Sequence, residues 1–259
     1  MSKSLNRRQL FQTMMVSSGA LALSAWAVNT NTTDNQTTTG KTWNYVPLDT
    51  ERTAALAYQL HNQGKSCMYG VFSSIVKQLA EKVGEPFRSF PCEMMVYGAG
   101  GVAGWGTLCG ALNGGAAAIS LLIGTAADRQ ALTDELFLWY QDSQIPTYVP
   151  ENPFFKADLP VVKPDSVLCH PSVSAWIKKA KVNFYSKERE ERCTRLSADT
   201  ARKTVELLNR RHLGSFTKQY KLNGETVGCL SCHGKDGIKA DVLAKSCAGC
   251  HSPSHNQHP

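Results

Sequence analysis

Apolar residues recur at intervals of three and four along most of the chain, which is the spacing of one helix face. The first two series lie on either side of Gly64, and Gly84 follows the second. Glycine at such positions favours the end of a helix. We predict two helices joined by a short turn, with these residues facing the core: Ala54, Leu56, Ala57, Leu60, Val71, Phe72, Ile75, Val76 and Leu79.

Four more helices are predicted before residue 213. Residues 107–123 form the most apolar segment, which predicts a buried helix. Thr133 is the predicted N-cap of an amphipathic helix that continues through Trp139. Helical spacing resumes over residues 173–181 and, most strongly, over residues 187–211, where charged residues alternate with aliphatic ones.

Two stretches lack a helical pattern. Residues 145–171 contain six prolines, which exclude long regular elements and predict an extended connection. After Gly214 the periodicity fades, and glycine and lysine become frequent. We therefore predict a mostly α fold, with a helical domain over residues 46–213 and an irregular C-terminal segment over residues 214–259, called the tail below.

The first 27 residues have the features of an export signal. An arginine pair, Arg7 and Arg8, precedes an apolar stretch that ends at a small-x-small cleavage site, Ala25-Trp26-Ala27. That stretch is shorter than the roughly 20 residues needed to span a bilayer. The arginine pair is typical of twin-arginine export, so we predict a periplasmic protein with no stable membrane span after cleavage. The Asn/Thr-rich residues 28–45 are predicted to form a disordered linker.

The net charge gives no support to a nucleic-acid partner. The formal charge of +7 falls to +4 on cleavage after Ala27, because three basic residues and no acidic one are removed. The sequence has no stripe of lysine and arginine interleaved with aromatic residues. A local basic patch could still steer a charged protein partner.

The tail contains two C-x-x-C-H motifs, which are typical of c-type haem attachment. In each motif two thiols bind one porphyrin and the adjacent imidazole binds its iron. We predict two haem c groups, with thioether bonds from Cys229, Cys232, Cys247 and Cys250 and proximal iron ligands His233 and His251.

Structural zinc is the main alternative for the same four cysteines. Their spacing, C-x2-C-x14-C-x2-C, is close to that of a zinc ribbon. A zinc ribbon does not require a histidine after each pair, and export leads to the compartment where haem c is attached. Haem is therefore preferred, and a zinc-stapled binding module is the alternative that a colourless purified protein would favour.

The sixth position of each haem iron could be filled by a further histidine or be open. Candidate distal ligands are His212, at the end of the last long helix, His255, four residues after a proximal ligand, and His61. Two irons with protein ligands at all positions would only pass electrons, whereas an open position would allow catalysis.

Five further cysteines lie outside the haem motifs. Free cysteine is often only a small buried apolar residue. Against this, glycines lie close to two of the five, and a third lies on a highly charged helix, where an idle thiol is less expected. Four thiolates could hold an iron–sulfur cluster. The five are Cys67, Cys92, Cys109, Cys169 and Cys193.

The glycine-rich run over residues 98–104 is similar to a dinucleotide-binding loop. A helical pattern precedes it instead of a strand, and no βαβ unit is predicted, so a Rossmann site is disfavoured. We interpret these glycines as positions where backbone amides approach a cluster or helices pack closely.

Five segments surround the cysteines outside the haem motifs. They are Gly64-Lys65-Ser66-Cys67-Met68-Tyr69-Gly70, Phe90-Pro91-Cys92-Glu93-Met94-Met95, Gly106-Thr107-Leu108-Cys109-Gly110-Ala111-Leu112-Asn113-Gly114, Cys169-His170-Pro171-Ser172-Val173-Ser174 and Glu191-Arg192-Cys193. These segments resemble the family named for a GCAxxG motif followed by two further cysteines, and the resemblance covers residues 50–210. Together with the two C-x-x-C-H motifs, it extends to the split-Soret cytochromes c of sulfate-reducing bacteria.

The resemblance implies a homodimer with two bis-histidine haems per subunit, stacked closely enough to split the Soret band. It also implies that the helical domain holds an iron–sulfur cluster of the [2Fe–2S] type. Twin-arginine export agrees with this, because such clusters are usually built in the cytoplasm. The candidate cluster ligands, chosen over Cys92, are Cys67, Cys109, Cys169 and Cys193.

These features predict a periplasmic dihaem c-type cytochrome that transfers electrons in anaerobic respiration and contains an iron–sulfur centre. Its expected partner is a redox protein. The alternative is a small haem reductase, acting on nitrite or a peroxide, with one open haem iron. Electron transfer is favoured over catalysis.

Overall fold

The computed structural model describes residues 43–241, 245 and 247, and they are mostly helical. No strand occurs among them, and their only β pairing is two isolated antiparallel bridges. The predicted mostly α fold is therefore confirmed. The helices are α1 (Thr50–Leu60), α2 (Ser66–Lys82), α3 (Gly110–Leu122), α4 (Ala126–Asp142), α5 (Cys169–Ala180), α6 (Lys187–His212) and α7 (Gly224–His233), with a π turn at His61–Lys65 and a 3-10 helix at Cys92–Gly98.

Some predictions concern residues outside this set. The signal peptide and nearly all of the linker lie outside the described residues, as do Cys250, His251 and His255. Within the described part, no helix is long and apolar enough to cross a bilayer.

Helix α6 forms the centre of the fold and packs against α1, α2, α3 and α4. Its 26 residues extend about 39 Å at 1.5 Å per residue. One face buries aliphatic residues, among them Leu196, Val205 and Leu208. The Ser186 hydroxyl caps the start by accepting the N–H of Arg189 at 3.2 Å, and the last turn carries three basic residues, which stabilise the negative end of the helix dipole.

The first two helices join at the predicted glycine. Gly64 has φ +77° and Ser66 has φ +73°, so the chain leaves helical geometry between α1 and α2. Glycine takes the left-handed conformation without the clash that a Cβ would cause. This sharp turn starts α2 one residue before Cys67 and so fixes the position of that thiol.

Helix α3 is buried, as predicted, and small residues allow its neighbours to approach closely. A Cβ on Gly115 would lie 2.7 Å from both Leu136 of α4 and Thr204 of α6. Any larger side chain would push these helices apart. The helix therefore lies tightly between α4 and α6 and begins directly after Cys109.

The predicted N-cap of α4 was wrong. The helix begins at Ala126, and its N-cap is Thr125, whose hydroxyl accepts the N–H of Asp128 at 3.2 Å. Asp128 in the first turn also complements the helix dipole. Thr133 is an interior residue of α4, because the preceding residues 126–132 are good helix formers that the apolar pattern alone did not reveal.

Residues 143–168 contain no helix, in agreement with the proline-rich prediction. Helix α5 begins four residues before the start expected from the apolar pattern, at Cys169. Its third residue is Pro171, and proline is tolerated in a first turn, where its missing N–H would have no helical partner. The proline thus did not exclude helix at this position.

The tail is not irregular throughout, because it contains α7, whose N-cap Asn223 accepts the N–H of Thr226 at 2.7 Å. The tail is attached to the helical domain through α4. The buried carboxylate of Glu135 accepts the backbone N–H groups of Gln219 and Tyr220 at 3.0 and 3.1 Å.

Candidate cysteine and haem sites

Three helix starts each carry one cysteine. Cys67 is the second residue of α2, Cys109 is the N-cap of α3, and Cys169 is the first residue of α5. The first backbone N–H groups of a helix have no partner within the helix and carry a partial positive charge. Such positions stabilise thiolates, the form of cysteine that binds metals.

Short antiparallel pairing aligns two of these helix starts. The N–H of Cys109 donates to the carbonyl of Val167 at 2.9 Å, and the N–H of Cys169 donates to the carbonyl of Thr107 at 2.6 Å. The chain segments before α3 and α5 therefore run side by side. This pairing brings Cys109 and Cys169 together although 60 residues separate them in the sequence.

Glycines allow the backbone to approach these cysteines. A Cβ on Gly101 would lie 2.9 Å from the Cβ of Cys169, and one on Gly110 would lie 3.1 Å from the Cβ of Cys67. Contacts this short leave no room for a side chain, which agrees with our interpretation of the glycine-rich run. The backbone at Gly101 and Gly110 therefore packs directly against Cys169 and Cys67.

Cys193, on α6, lies close to the three cysteines at the helix starts. Burial raises the pKa of the Cys67 thiol well above its usual value, and Cys193, Cys109 and Cys169 raise it further. Burial also raises the pKa of Cys169 to about 12, with Cys109 and Cys193 as the next contributors. The structure therefore brings the four candidate ligands into mutual electrostatic contact. We call Cys67, Cys109, Cys169 and Cys193 the cysteine site.

Cys92 stands apart from the cysteine site. It begins the 3-10 helix, and burial raises its pKa, while the charged neighbours that act on it are Lys77 and Glu93. None of the four site cysteines is among the groups that shift its pKa. We therefore leave Cys92 out of the cysteine site.

The cysteine site offers sulfur donors, the ligand type of iron–sulfur clusters. All of its cysteines are free thiols. Among the described residues, however, no three His, Cys, Asp or Glu side chains are arranged to hold one ion. A [2Fe–2S] cluster takes four thiolates, which is the number of thiols in the cysteine site.

A buried arginine lies against the cysteine site, and sequence reasoning missed it. Arg192 is 1% exposed; its Nη1 is 3.8 Å from the Sγ of Cys193, and its Nη2 donates to the Ser172 hydroxyl at 2.8 Å. The Tyr140 hydroxyl is 2.8 Å from the same Ser172 oxygen and acts on the thiol of Cys109. The only signal in the sequence was the position of Arg192 directly before Cys193.

His61 lies at the end of α1, beside the cysteine site. Its Nδ1 is 2.9 Å from the Ser197 hydroxyl, which also lowers the pKa of Cys67. Burial, followed by the nearby charge of Arg189, lowers the pKa of His61 to about 4. The imidazole is therefore neutral at neutral pH.

The first haem motif lies on α7, where Cys229 and Cys232 are both exposed. Residues three apart share one face of a helix, so both thiols and His233 line the same open groove of about 510 Å³ together with Ile238. The Nδ1 of His233 is 2.8 Å from the Asp241 carboxylate. A carboxylate bonded in this way fixes the orientation of a metal-binding imidazole.

The second motif is described only at Cys247. Burial raises the pKa of Cys247, and Cys229 is the next cause, so Cys247 lies close to Cys229 of the first motif. His212 is exposed at the end of α6, where its ring is 5.8 Å from that of Tyr45.

Comparisons with known proteins show which family the chain resembles. Residues 69–207 match the family described as "Putative redox-active protein (C_GCAxxG_C_C)", a range that includes Cys109, Cys169 and Cys193 and begins two residues after Cys67. The split-Soret cytochrome c of Desulfovibrio desulfuricans is 38% identical over 217 residues, which are 81% of this chain and 77% of that protein.

A solved structure has the same fold. It is the split-Soret cytochrome c of Desulfovibrio desulfuricans, described as containing a novel iron centre. It superposes with a TM-score of 0.77 and 36% identity, covering 84% of this chain and 93% of that one. On this identity and coverage, the chain belongs to the split-Soret cytochrome c family.

Proposed function

We propose that this protein transfers electrons and uses both haem iron and a cysteine-bound iron centre. The observation that carries the proposal is the convergence of four cysteines, three of them at helix starts, in a chain whose tail presents a C-x-x-C-H motif. The described iron centre of the Desulfovibrio relative supports it.

The cysteine site would hold the iron centre, for which a [2Fe–2S] core is the best fit. When bound, such a centre supplies one-electron exchange. The protein's own part is to exclude water, since Cys109 and Cys193 are only 4% and 8% exposed. It also places three of the four cysteines at helix starts, where the helix dipole favours negative charge.

The tail would hold two haem c groups. Cys229, Cys232, Cys247 and Cys250 would form the thioethers, and His233 and His251 would be the proximal ligands. Asp241 orients His233 for this role. Of the distal candidates, we favour His212 and His255, because His61 is engaged by Ser197 beside the cysteine site.

The biological setting belongs to the same proposal. The arginine pair at the N-terminus supports twin-arginine export and a periplasmic location. Membership of the split-Soret family supports a homodimer with stacked haems, acting in anaerobic respiration with a redox partner protein. Electron transfer, not catalysis at an open iron, is the role that bis-histidine ligation would allow.

Optical and low-temperature EPR spectra of protein made with haem-attachment machinery would test the proposal. We expect two low-spin haems per chain, a split Soret band and a separate iron–sulfur signal with acid-labile sulfide. Cys109→Ser should remove the iron–sulfur signal, whereas the matched variant Cys92→Ser should retain it. One high-spin haem would favour the reductase, and a protein without haem would contradict the proposal.

A further inference from the structure

Arg192 is a buried cation without an anionic partner. It is the sixth of the 26 residues of α6, in the second turn. Among the described residues its only bonds go to Ser172 and the Cys193 thiol, and its Nε has no hydrogen-bond partner. No carboxylate among the described residues forms an ion pair with it. The preceding residue, Glu191, is already bound to Arg195 and Tyr58.

Such an arrangement is costly unless an anion is present. An unpaired buried charge costs several kcal/mol, and Ser172 offers only a neutral hydroxyl. The groups close to the guanidinium that can become anionic are Cys193, Cys109 and Tyr140. Of these, the two cysteines are candidate ligands, which are thiolates whenever a metal is bound.

We propose that Arg192 is the built-in countercharge of the iron centre, and that it stabilises the bound thiolates and raises the reduction potential of the centre. The inference rests on the proposed function, since it needs the centre to be present. Arg192 is a positioning residue, because it acts on the centre through its contact with Cys193 and through the electric field of its charge.

The charges of the centre and of Arg192 determine the direction in which Arg192 shifts the reduction potential. Reduction adds one electron, and so one negative charge, to a centre whose four thiolates already make it anionic. A fixed positive charge in a region of low dielectric constant favours the more negative state. Ser172 keeps the guanidinium in place, and the Tyr140 hydroxyl bonded to Ser172 holds that contact from α4.

The test compares Arg192→Gln, Arg192→Lys and the control Arg52→Gln. Arg52 also forms a charged contact, with Glu81, but Glu81 is 14 residues beyond Cys67, or about 21 Å along α2. Iron and acid-labile sulfide are counted, and the potential of the centre is measured by EPR during titration with a chemical reductant.

We expect Arg192→Gln to shift the one-electron equilibrium of the centre at least tenfold towards the oxidised form. This corresponds to a reduction potential lower by about 59 mV. Arg192→Lys, which keeps the charge, should restore most of the potential, and Arg52→Gln should not change it. Equal potentials in the wild type and Arg192→Gln would overturn the inference. A wild-type protein without an iron centre would overturn the proposed function instead.

Two other results are also decisive. If Arg192→Gln keeps its helical circular dichroism but loses iron, while Arg192→Lys retains it, the countercharge is required for binding and the inference stands. If Arg192→Gln does not fold, Ser172→Ala serves as the second variant. It removes the hydroxyl that holds the guanidinium and that also bonds the Tyr140 hydroxyl. The potential should fall by a smaller amount than in Arg192→Gln, and an unchanged potential would overturn the inference.

Discussion

At the scale of single residues, His61 shows how burial decides a charge. Its pKa is lowered to about 4, first because burial disfavours the imidazolium and then because Arg189 repels it. The unfolded chain therefore takes up a proton as the pH falls through 6.5, while the folded protein resists until about pH 4. The contribution of His61 to the free energy of unfolding is therefore complete above pH 6.5, and it is lost as the pH falls towards 4.

His61→Asn should remove that pH dependence. We expect the melting temperature of the wild type to fall more steeply between pH 7 and pH 4 than that of the variant. His170→Asn, which changes an exposed histidine, is the matched control and should keep the wild-type slope. The prediction fails if the two variants follow the same curve.

Asp241 should tune the first proposed haem through its proposed proximal ligand, His233. Its carboxylate accepts from the Nδ1 of His233 at 2.8 Å, which makes the imidazole a stronger donor to iron and stabilises the oxidised form. Asp241→Asn should therefore raise the reduction potential of this haem. A tenfold shift of the one-electron equilibrium towards the reduced form would raise it by about 59 mV. Spectroelectrochemistry should show no comparable change for Asp236→Asn, the same substitution at a nearby exposed acid.

At the scale of helices, Gly110 decides how closely α2 and α3 meet. A Cβ there would overlap the carbonyl of Gly98 and lie 3.1 Å from the Cβ of Cys67. Gly110→Ala should lower the free energy of unfolding by about 1–3 kcal/mol, the usual cost of overpacking.

Gly224→Ala is the matched control for this change. Gly224 is also the first residue of a helix, but a Cβ there would have no atom within 4 Å. Denaturant titration should find it neutral or slightly stabilising, because alanine restricts the unfolded chain. Equal losses in both variants would mean that the close approach at Gly110 does not govern stability.

The start of α4 gives a second comparison within one helix. Thr125→Ala removes the N-cap bond to Asp128 and should cost about 1 kcal/mol. Thr133→Ala changes an interior residue and should cost less, since alanine has the higher helix propensity. Thermal unfolding of the two variants would distinguish them, and a larger loss for Thr133→Ala would contradict the observed cap.

The same helices show which features could be predicted from the sequence. Apolar spacing located α1, α2, α3 and α6, because each buries one continuous face against the core. Helix starts were less predictable, because a cap depends on one or two side chains; Thr125 and Thr133 both fit the cap preference, and only the structure distinguishes them. The cysteine site could be proposed from its residues, but the buried Arg192 could not, because local sequence does not reveal burial.

At the scale of the whole molecule, α4 connects the cysteine site with the tail. Tyr140 acts on Cys109 and bonds Ser172. Glu135, five residues earlier and about 7.5 Å along the helix axis, holds the backbone of Gln219 and Tyr220. Because one rigid helix carries both contacts, it sets the distance between the proposed iron centre and the tail that would hold the haems.

Glu135→Ala should therefore loosen the tail without unfolding the helical domain. Hydrogen bonds to a charged acceptor contribute about 1.5–3 kcal/mol each, and cleavage of a locally opened segment follows the population of the open form. We expect trypsin to cut the holoprotein within residues 214–245 at least tenfold faster. Asp142→Ala, which removes an acid of α4 that pairs with Lys163, should leave the rate unchanged. Equal rates in the wild type and Glu135→Ala would show that the tail is held by other contacts, and α4 would then not set the distance between the two centres.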